Sequence, residues 1–162
     1  MVSRARWLVL GTALSATLLS AGCAKSYVSN TDVEDTGENR KVLVFCEKYR
    51  RAVEEKDVGE LLKLASPKYY EDGGNARPDD DYDYEGLRDF LLNQFAKTSG
   101  IRYEIRYRKV SRTETNRVLV DYTFSTAYRI PGAEKEEWRH KVADNRLELV
   151  ADGDTFKIMS GM

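Results

Sequence analysis

Ile101-Arg102-Tyr103-Glu104-Ile105-Arg106-Tyr107-Arg108 alternates apolar or aromatic residues with charged ones without a break. In an extended chain successive side chains point to opposite faces, so this run specifies a half-buried antiparallel strand. Upstream of Gly100 the period is helical. Val42, Phe45, Cys46, Tyr49, Ala52 and Val53 recur at three and four residues and give one apolar stripe, capped by Asp35 or Thr36. Asp57 with Glu60 three residues on has the form of a capping box and opens a second helix through Leu61, Leu62 and Ala65, which Pro67 closes. Asp83 caps a third helix with the stripe Leu87, Phe90, Leu91, Gln94 and Phe95, and Gly100 ends it.

Downstream of Tyr107 the alternation continues. A polar turn at Thr113–Asn116 leads to a strand with Val118, Val120, Tyr122, Phe124 and Tyr128 on one face and Asp121, Thr123 and Arg129 on the other. Pro131-Gly132 turns the chain again. The next strand sets Trp138, His140 and Val142 on one face, whereas beyond Asn145 the apolar positions are Leu147 and Leu149. A bulge near Asp144 would reconcile the two phases. Asp152-Gly153 is a two-residue hairpin signal, and Phe156 and Ile158 belong to a last strand.

Helices followed by a meander of long strands define an α+β chain. Tyr49-Arg50-Arg51-Ala52-Val53-Glu54-Glu55-Lys56-Asp57 through Leu61, Tyr84-Glu85-Gly86-Leu87, and the closing hairpin Leu147-Glu148-Leu149-Val150-Ala151-Asp152-Gly153-Asp154-Thr155-Phe156-Lys157-Ile158 together resemble the nuclear transport factor 2-like superfamily, with its SnoaL-like members. The resemblance implies a cone-shaped roll over residues 39–162: three N-terminal helices packed on a strongly curved antiparallel sheet of four or more strands. That superfamily hosts enzymes, carriers and interaction modules, so the fold does not choose an activity.

The N-terminus has a different grammar. Arg4 and Arg6, the apolar run Trp7–Leu19, and Ser20-Ala21-Gly22 before Cys23 resemble a bacterial lipoprotein signal peptide, with Ser20 where the family pattern usually has Leu. The resemblance implies removal of residues 1–22 and a thioether-linked diacylglycerol with an N-acyl chain on Cys23, more than one lipid chain and so a stable membrane anchor. Residues 23–38, rich in Ser, Asn, Thr and Asp, read as a flexible tether. Ala24 lacks the Asp that retains enteric lipoproteins at the inner membrane, which favours an envelope location at the outer membrane, the domain facing periplasm or surface. Without residues 1–22, 24 Lys plus Arg stand against 27 Asp plus Glu, a net charge of −3. A mildly acidic domain has no electrostatic reason to bind nucleic acid. With Cys23 acylated, Cys46 has no intramolecular partner.

His140 is the only histidine and the natural general acid or base near neutral pH. Its carboxylate partner would have to be Asp72 or Asp121. The chain holds ten tyrosines. Phenols lining a cone can hydrogen-bond an amphipathic or ring-shaped ligand while offering apolar area. Burial alone accounts for most tyrosines, and a hydrogen-bonded rim position accounts for His140. A functional cone demands more: Tyr122, Tyr128, Trp138 and His140 must line one cavity. Asp79, Asp81, Asp83 and Glu85 offer hard oxygen ligands, yet Tyr84 stands where a calcium loop needs Gly and Phe90 where it needs Glu, so no metal is expected. Nor is a cofactor expected, for no phosphate-binding or redox motif occurs.

Three functions remain. The leading one is a non-catalytic, lipid-anchored module for an amphipathic small molecule or an envelope protein. The alternatives are a SnoaL-like or isomerase-type enzyme using His140 in the cone, and a structural homodimer pairing through its sheet.

Overall fold

A computed structural model describes residues 25–73, 80–131 and 135–162. The signal peptide, Cys23 and part of the Asp79–Glu85 loop lie outside the described residues. Helix α1 (Gly37–Glu55) starts at Thr36, whose hydroxyl accepts from the Asn39 amide at 3.1 Å, and ends at Lys56 in the left-handed conformation, φ 55°. Asp57 caps α2 (Val58–Leu64) by accepting from Glu60 N, but the return bond of the expected box is absent, since Asp57 N donates to Ala52 O. A two-residue ladder of β1 (Tyr70–Glu71) with β2 (Tyr82–Asp83) precedes α3 (Tyr84–Ala96), where Asp83 accepts from Glu85 N and Gly86 N. The helix stops at Lys97, three residues before Gly100, which instead opens the sheet.

That sheet runs β3 (Gly100–Arg112), β4 (Val118–Ile130), β5 (Glu137–Asp152) and β6 (Thr155–Ser160), antiparallel throughout and in chain order. With the three helices packed against it the chain is a cone-shaped α+β roll. Tyr103, Tyr107, Val118, Val120, Tyr122, Leu147 and Leu149 form the buried inner face, onto which α1 delivers Val42, Phe45, Cys46 and Tyr49. Phe45 meets Phe156 edge to face at 5.8 Å, tying α1 to the final hairpin.

Two features differ from expectation. The β4–β5 register is unbroken from Val118↔Leu149 to Ile130↔Glu137, so no bulge lies at Asp144. The phase of β5 never slips: Leu147 and Leu149 share the inner face with Asn145 and Ala143, while Trp138, His140 and Val142 stand on the outer face. Their apolar spacing suggested burial, but Trp138 is 62% and Val142 57% exposed. The real register shifts fall at Tyr107/Lys109 and Glu148/Leu149.

The expected tether over 23–38 is also corrected across its described part. Tyr27 bridges Glu34, Ser26 O accepts from Asp35 N at 2.7 Å, and Val33 is 2% exposed. Asp32 donates its backbone N–H to Tyr107 O at 3.0 Å, and its carboxylate accepts from Arg106 at 2.9 Å and Arg108 at 3.0 Å. Polar composition here reflects a turn that bonds its own backbone rather than free chain: Thr31 Oγ1 donates to Val28 O and accepts from Val33 N.

Truncation of a buried Phe typically costs about 3–5 kcal/mol. Phe45→Ala should fall in that range by chemical denaturation; a loss under about 1 kcal/mol would place Phe45 outside the core.

Candidate functional site

The cone interior carries polar chemistry of its own. The phenols of Tyr49 on α1, Tyr103 on β3 and Tyr122 on β4 interact with one another, and Asn145 Nδ2 on β5 donates to Tyr122 OH at 3.1 Å and to Gly161 O at 3.2 Å. All three tyrosines are buried, Tyr122 to 1% exposure. Burial raises each phenol above its ordinary value of 10.0, for Tyr49 well above it, with Tyr122 and Tyr103 adding to the shift. Aromatic contacts continue the cluster through Phe124, whose ring lies 5.6 Å from Tyr103 and 6.4 Å from Tyr122.

The structure does not bring the four expected pocket residues together. Tyr122 and Tyr128 lie on the inner face, opposite Asn145 and Arg139; Trp138 and His140 lie on the outer face, opposite Arg129 and Ala127. Tyr128 borders a small hollow with Phe95, Thr98 and Ile101 at the end of α3. His140 is exposed and shares a 3.0 Å hydrogen bond with Ser125. Trp138 lies under the Arg129 guanidinium, 5.4 Å from the ring centre, and Arg129 in turn donates to Glu136 at 3.0 Å. Asp121 is engaged by Arg146 at 2.6 Å, so it does not reach His140 as a partner carboxylate. The phase of β5 is what misled the sequence reading.

The larger opening lies outside the cone, a cleft of about 660 Å³ between α1, the 28–31 turn and β3. Its walls are mostly apolar: Val28, Leu43, Val44, Ile105 and Tyr107. Arg40, Lys48 and Arg51 stand at its margin. Glu47 also borders it, but both of its oxygens are occupied, one accepting from Tyr107 OH at 2.8 Å and the other from Arg50 Nε at 2.8 Å. Burial, followed by its neighbours Cys46 and Glu47, holds the Tyr107 phenol above its ordinary range. A cleft with an apolar wall and a cationic rim suits an amphipathic anion. Val44, 61% exposed in the middle of an amphipathic helix, was the sequence signal for it: it falls outside the apolar stripe that packs the core.

Among solved structures the chain is similar to Kfla4162 from Kribbella flavida, at TM-score 0.62 and 12% identity over 76% of this chain and 86% of that one. It is equally similar to ActVI-ORFA from Streptomyces coelicolor, at TM-score 0.62 and 12% identity over 77% and 95%. The intermembrane space region of the chloroplast protein ARC6 matches at TM-score 0.55 and 11% identity, over 79% and 97%. These neighbours establish the nuclear transport factor 2-like fold, which enzymes and other proteins share, and at such identities nothing more specific. No family model matches the chain, and no curated protein matches its sequence.

A phenol whose folded-state pKa is raised leaves stability intact below its unfolded value and withdraws it as pH climbs beyond. The buried cluster should therefore keep the protein at full stability up to about pH 10 and destabilise it progressively above that. Denaturation midpoints measured against pH, with phenolate absorbance followed in parallel, should show Tyr49, Tyr103 and Tyr122 ionising together with unfolding. Smooth titration of every tyrosine near pH 10 with the fold intact would mean that the cluster is open to water.

Proposed function

We propose that this chain is a lipid-anchored envelope protein whose domain binds an anionic amphipathic ligand in the cleft between α1 and the 28–31 turn. The observation that carries the ligand class is the composition of the cleft, an apolar wall of Leu43, Val44, Ile105 and Tyr107 beneath Arg40, Lys48 and Arg51. An alkyl chain lies against the wall, and its acidic head meets Lys48 and Arg51. Chemistry is not required of this site: Glu47 is held by Tyr107 and Arg50 and serves as a fixed acceptor. The anchor reading is supported by the order of Arg4, Arg6, the Trp7–Leu19 run and the small residues before Cys23.

An enzyme of the SnoaL-like or isomerase type keeps one supporting observation, the linked phenols of Tyr49, Tyr103 and Tyr122 within the cone. It would work through those tyrosines and Asn145 rather than through His140. A homodimer module is favoured by a different face, where exposed Trp138 and Val142 lie beside Ala127 on the outer side of the sheet. Sedimentation of the unacylated chain separates that reading from the ligand-binding one.

A ligand that binds only the native state raises the melting temperature, by about 2.7 kcal/mol of added stability at a hundredfold excess over Kd. Oleate, used below its micelle concentration, should stabilise the wild type, and both Val44→Asp and Lys48→Glu should remove that shift while the unliganded melting temperature stays close to wild type. If oleate and other alkyl anions leave the wild-type transition where it was, the cleft is not a ligand site.

Acylation has its own readout. Cys23→Ser should abolish incorporation of labelled palmitate and release the protein from the membrane fraction; a variant that kept both would refute the anchor.

A further inference from the structure

Helix α1 has an outward stripe opposite to the one that packs the core, and it is cationic: Arg40, Lys41, Lys48 and Arg51 surround the exposed Val44. One hollow flanks the stripe on the β3 side, and a second flanks it beside Asp154, Thr155 and Phe156 of the closing hairpin. The acidic residues nearby are committed elsewhere or stand at the margins. Asp35 holds Arg40 in a two-pronged pair, Glu47 and Glu54 are engaged by Arg50, and Glu38 by Arg112. Asp154 borders the second hollow, and Glu55 ends the helix. Among the described residues Lys41, Lys48 and Arg51 enter no ion pair. The domain as a whole is acidic, yet this helix face is not.

The position of Ser26 gives the stripe a partner. Ser26 is held by Asp35, one residue from the cap of α1, so it lies beside the N-terminal end of that helix. Ser26 is three positions after Cys23, and a fully extended chain spans at most about 11 Å over that distance. The surface field of an anionic membrane decays over about 8 Å at physiological ionic strength. We infer that α1 lies along the bilayer to which the chain is anchored, with Lys41, Lys48 and Arg51 against anionic phospholipid headgroups and Val44 at the level of the glycerol backbone. This rests on the acylation of Cys23 proposed above. Lying flat brings the whole stripe, about 16 Å from Arg40 to Arg51, within reach of the surface; standing upright would leave only its N-terminal end there. The cleft then opens toward the lipid, the source of an amphipathic anion.

Two measurements test the orientation separately from the anchor. In the first, unacylated Cys23→Ser chain is mixed with phosphatidylcholine vesicles, with and without phosphatidylglycerol. Binding should require the anionic lipid and weaken with added salt. Each basic residue near such a surface is worth about a fivefold change in partitioning, so the added pair Lys48→Gln and Arg51→Gln should reduce it about thirtyfold. In the second, acylated protein in vesicles of the same anionic composition carries a spin label at Val44→Cys or, on the outer sheet face, at Val142→Cys; Cys46 is buried and escapes labelling. A headgroup-bound nickel chelate should broaden the Val44 signal and spare the Val142 one. Loss of palmitate labelling at Cys23 would sink the anchor alone. Successful acylation with equal broadening at both positions, or partitioning indifferent to phosphatidylglycerol and to the Gln pair, would overturn the docking of α1.

Discussion

The sheet of this protein starts at an edge, and the way that edge is closed organises everything around it. β3 has β4 on one side only, leaving outward backbone groups that would otherwise invite another strand. At Tyr103 both groups are taken by α1: Arg50 donates to Tyr103 O at 3.0 Å, and Glu54 accepts from Tyr103 N at 3.3 Å. The two side chains also pair with each other at 2.9 Å, which lowers the Glu54 pKa, while Glu47 first and then Glu54 raise that of Arg50. Four residues along, Tyr107 O accepts from the Asp32 amide. Helix α1 and the 26–35 segment therefore close the edge with hydrogen bonds instead of a fifth strand, and the separation between those two closures is where the cleft forms. Ile105, lying between Tyr103 and Tyr107, contributes to its wall.

The opposite end of the sheet is treated differently. β6 pairs with β5 only from Glu148 to Asp152, so the first eleven residues of β5 have β4 alone as a neighbour. Glu137, Arg139 and Lys141 put charge along that length, a familiar protection against pairing with foreign strands. The C-terminal residues secure the point where the pairing begins. Gly161, at φ 94°, approaches so closely that a β-carbon would lie 1.9 Å from Arg146 O, while its amide donates to Glu71 at 2.6 Å and Met162 N donates to Tyr69 OH at 3.2 Å. Only glycine allows that approach.

Much of the fold was legible because local signals and tertiary demands agreed. The caps at Asp57 and Asp83, the helix stripe through Phe45 and Tyr49, and the alternation of Ile101–Tyr107 each name a structure that packing also wants. Two readings failed for physical reasons visible in the residues. Trp138, His140 and Val142 have the alternation of a buried strand face, but the register with β4 places them opposite Arg129, Ala127 and Ser125, on the solvent side. Period alone cannot say which face is inside, and a functional cone built on that choice lost half its residues. The 26–36 segment looked like a tether because it is polar, yet its polar groups are the means of its order: Asp32 reaches Arg106 and Arg108, partners more than seventy positions away that no local pattern reveals.

The cleft was harder still to read, since it depends on the gap between two separate closures of one strand edge. What the sequence did contain was Val44 on the wrong side of its helix, flanked by cations. An exposed valine alone is ordinary. An exposed valine at the rim of an apolar cleft, on a basic helix face, in a domain whose Ser26 stands three positions from Cys23, brings four features together, and the proposed membrane surface is an environment in which each has a physical use. The inner phenols make the same point in reverse. Tyr49, Tyr103 and Tyr122 are buried within the cone, with the Tyr122 hydroxyl accepting from Asn145, so they belong to the core, while the proposed ligand site lies on the side of the roll beside its own N-terminal segment.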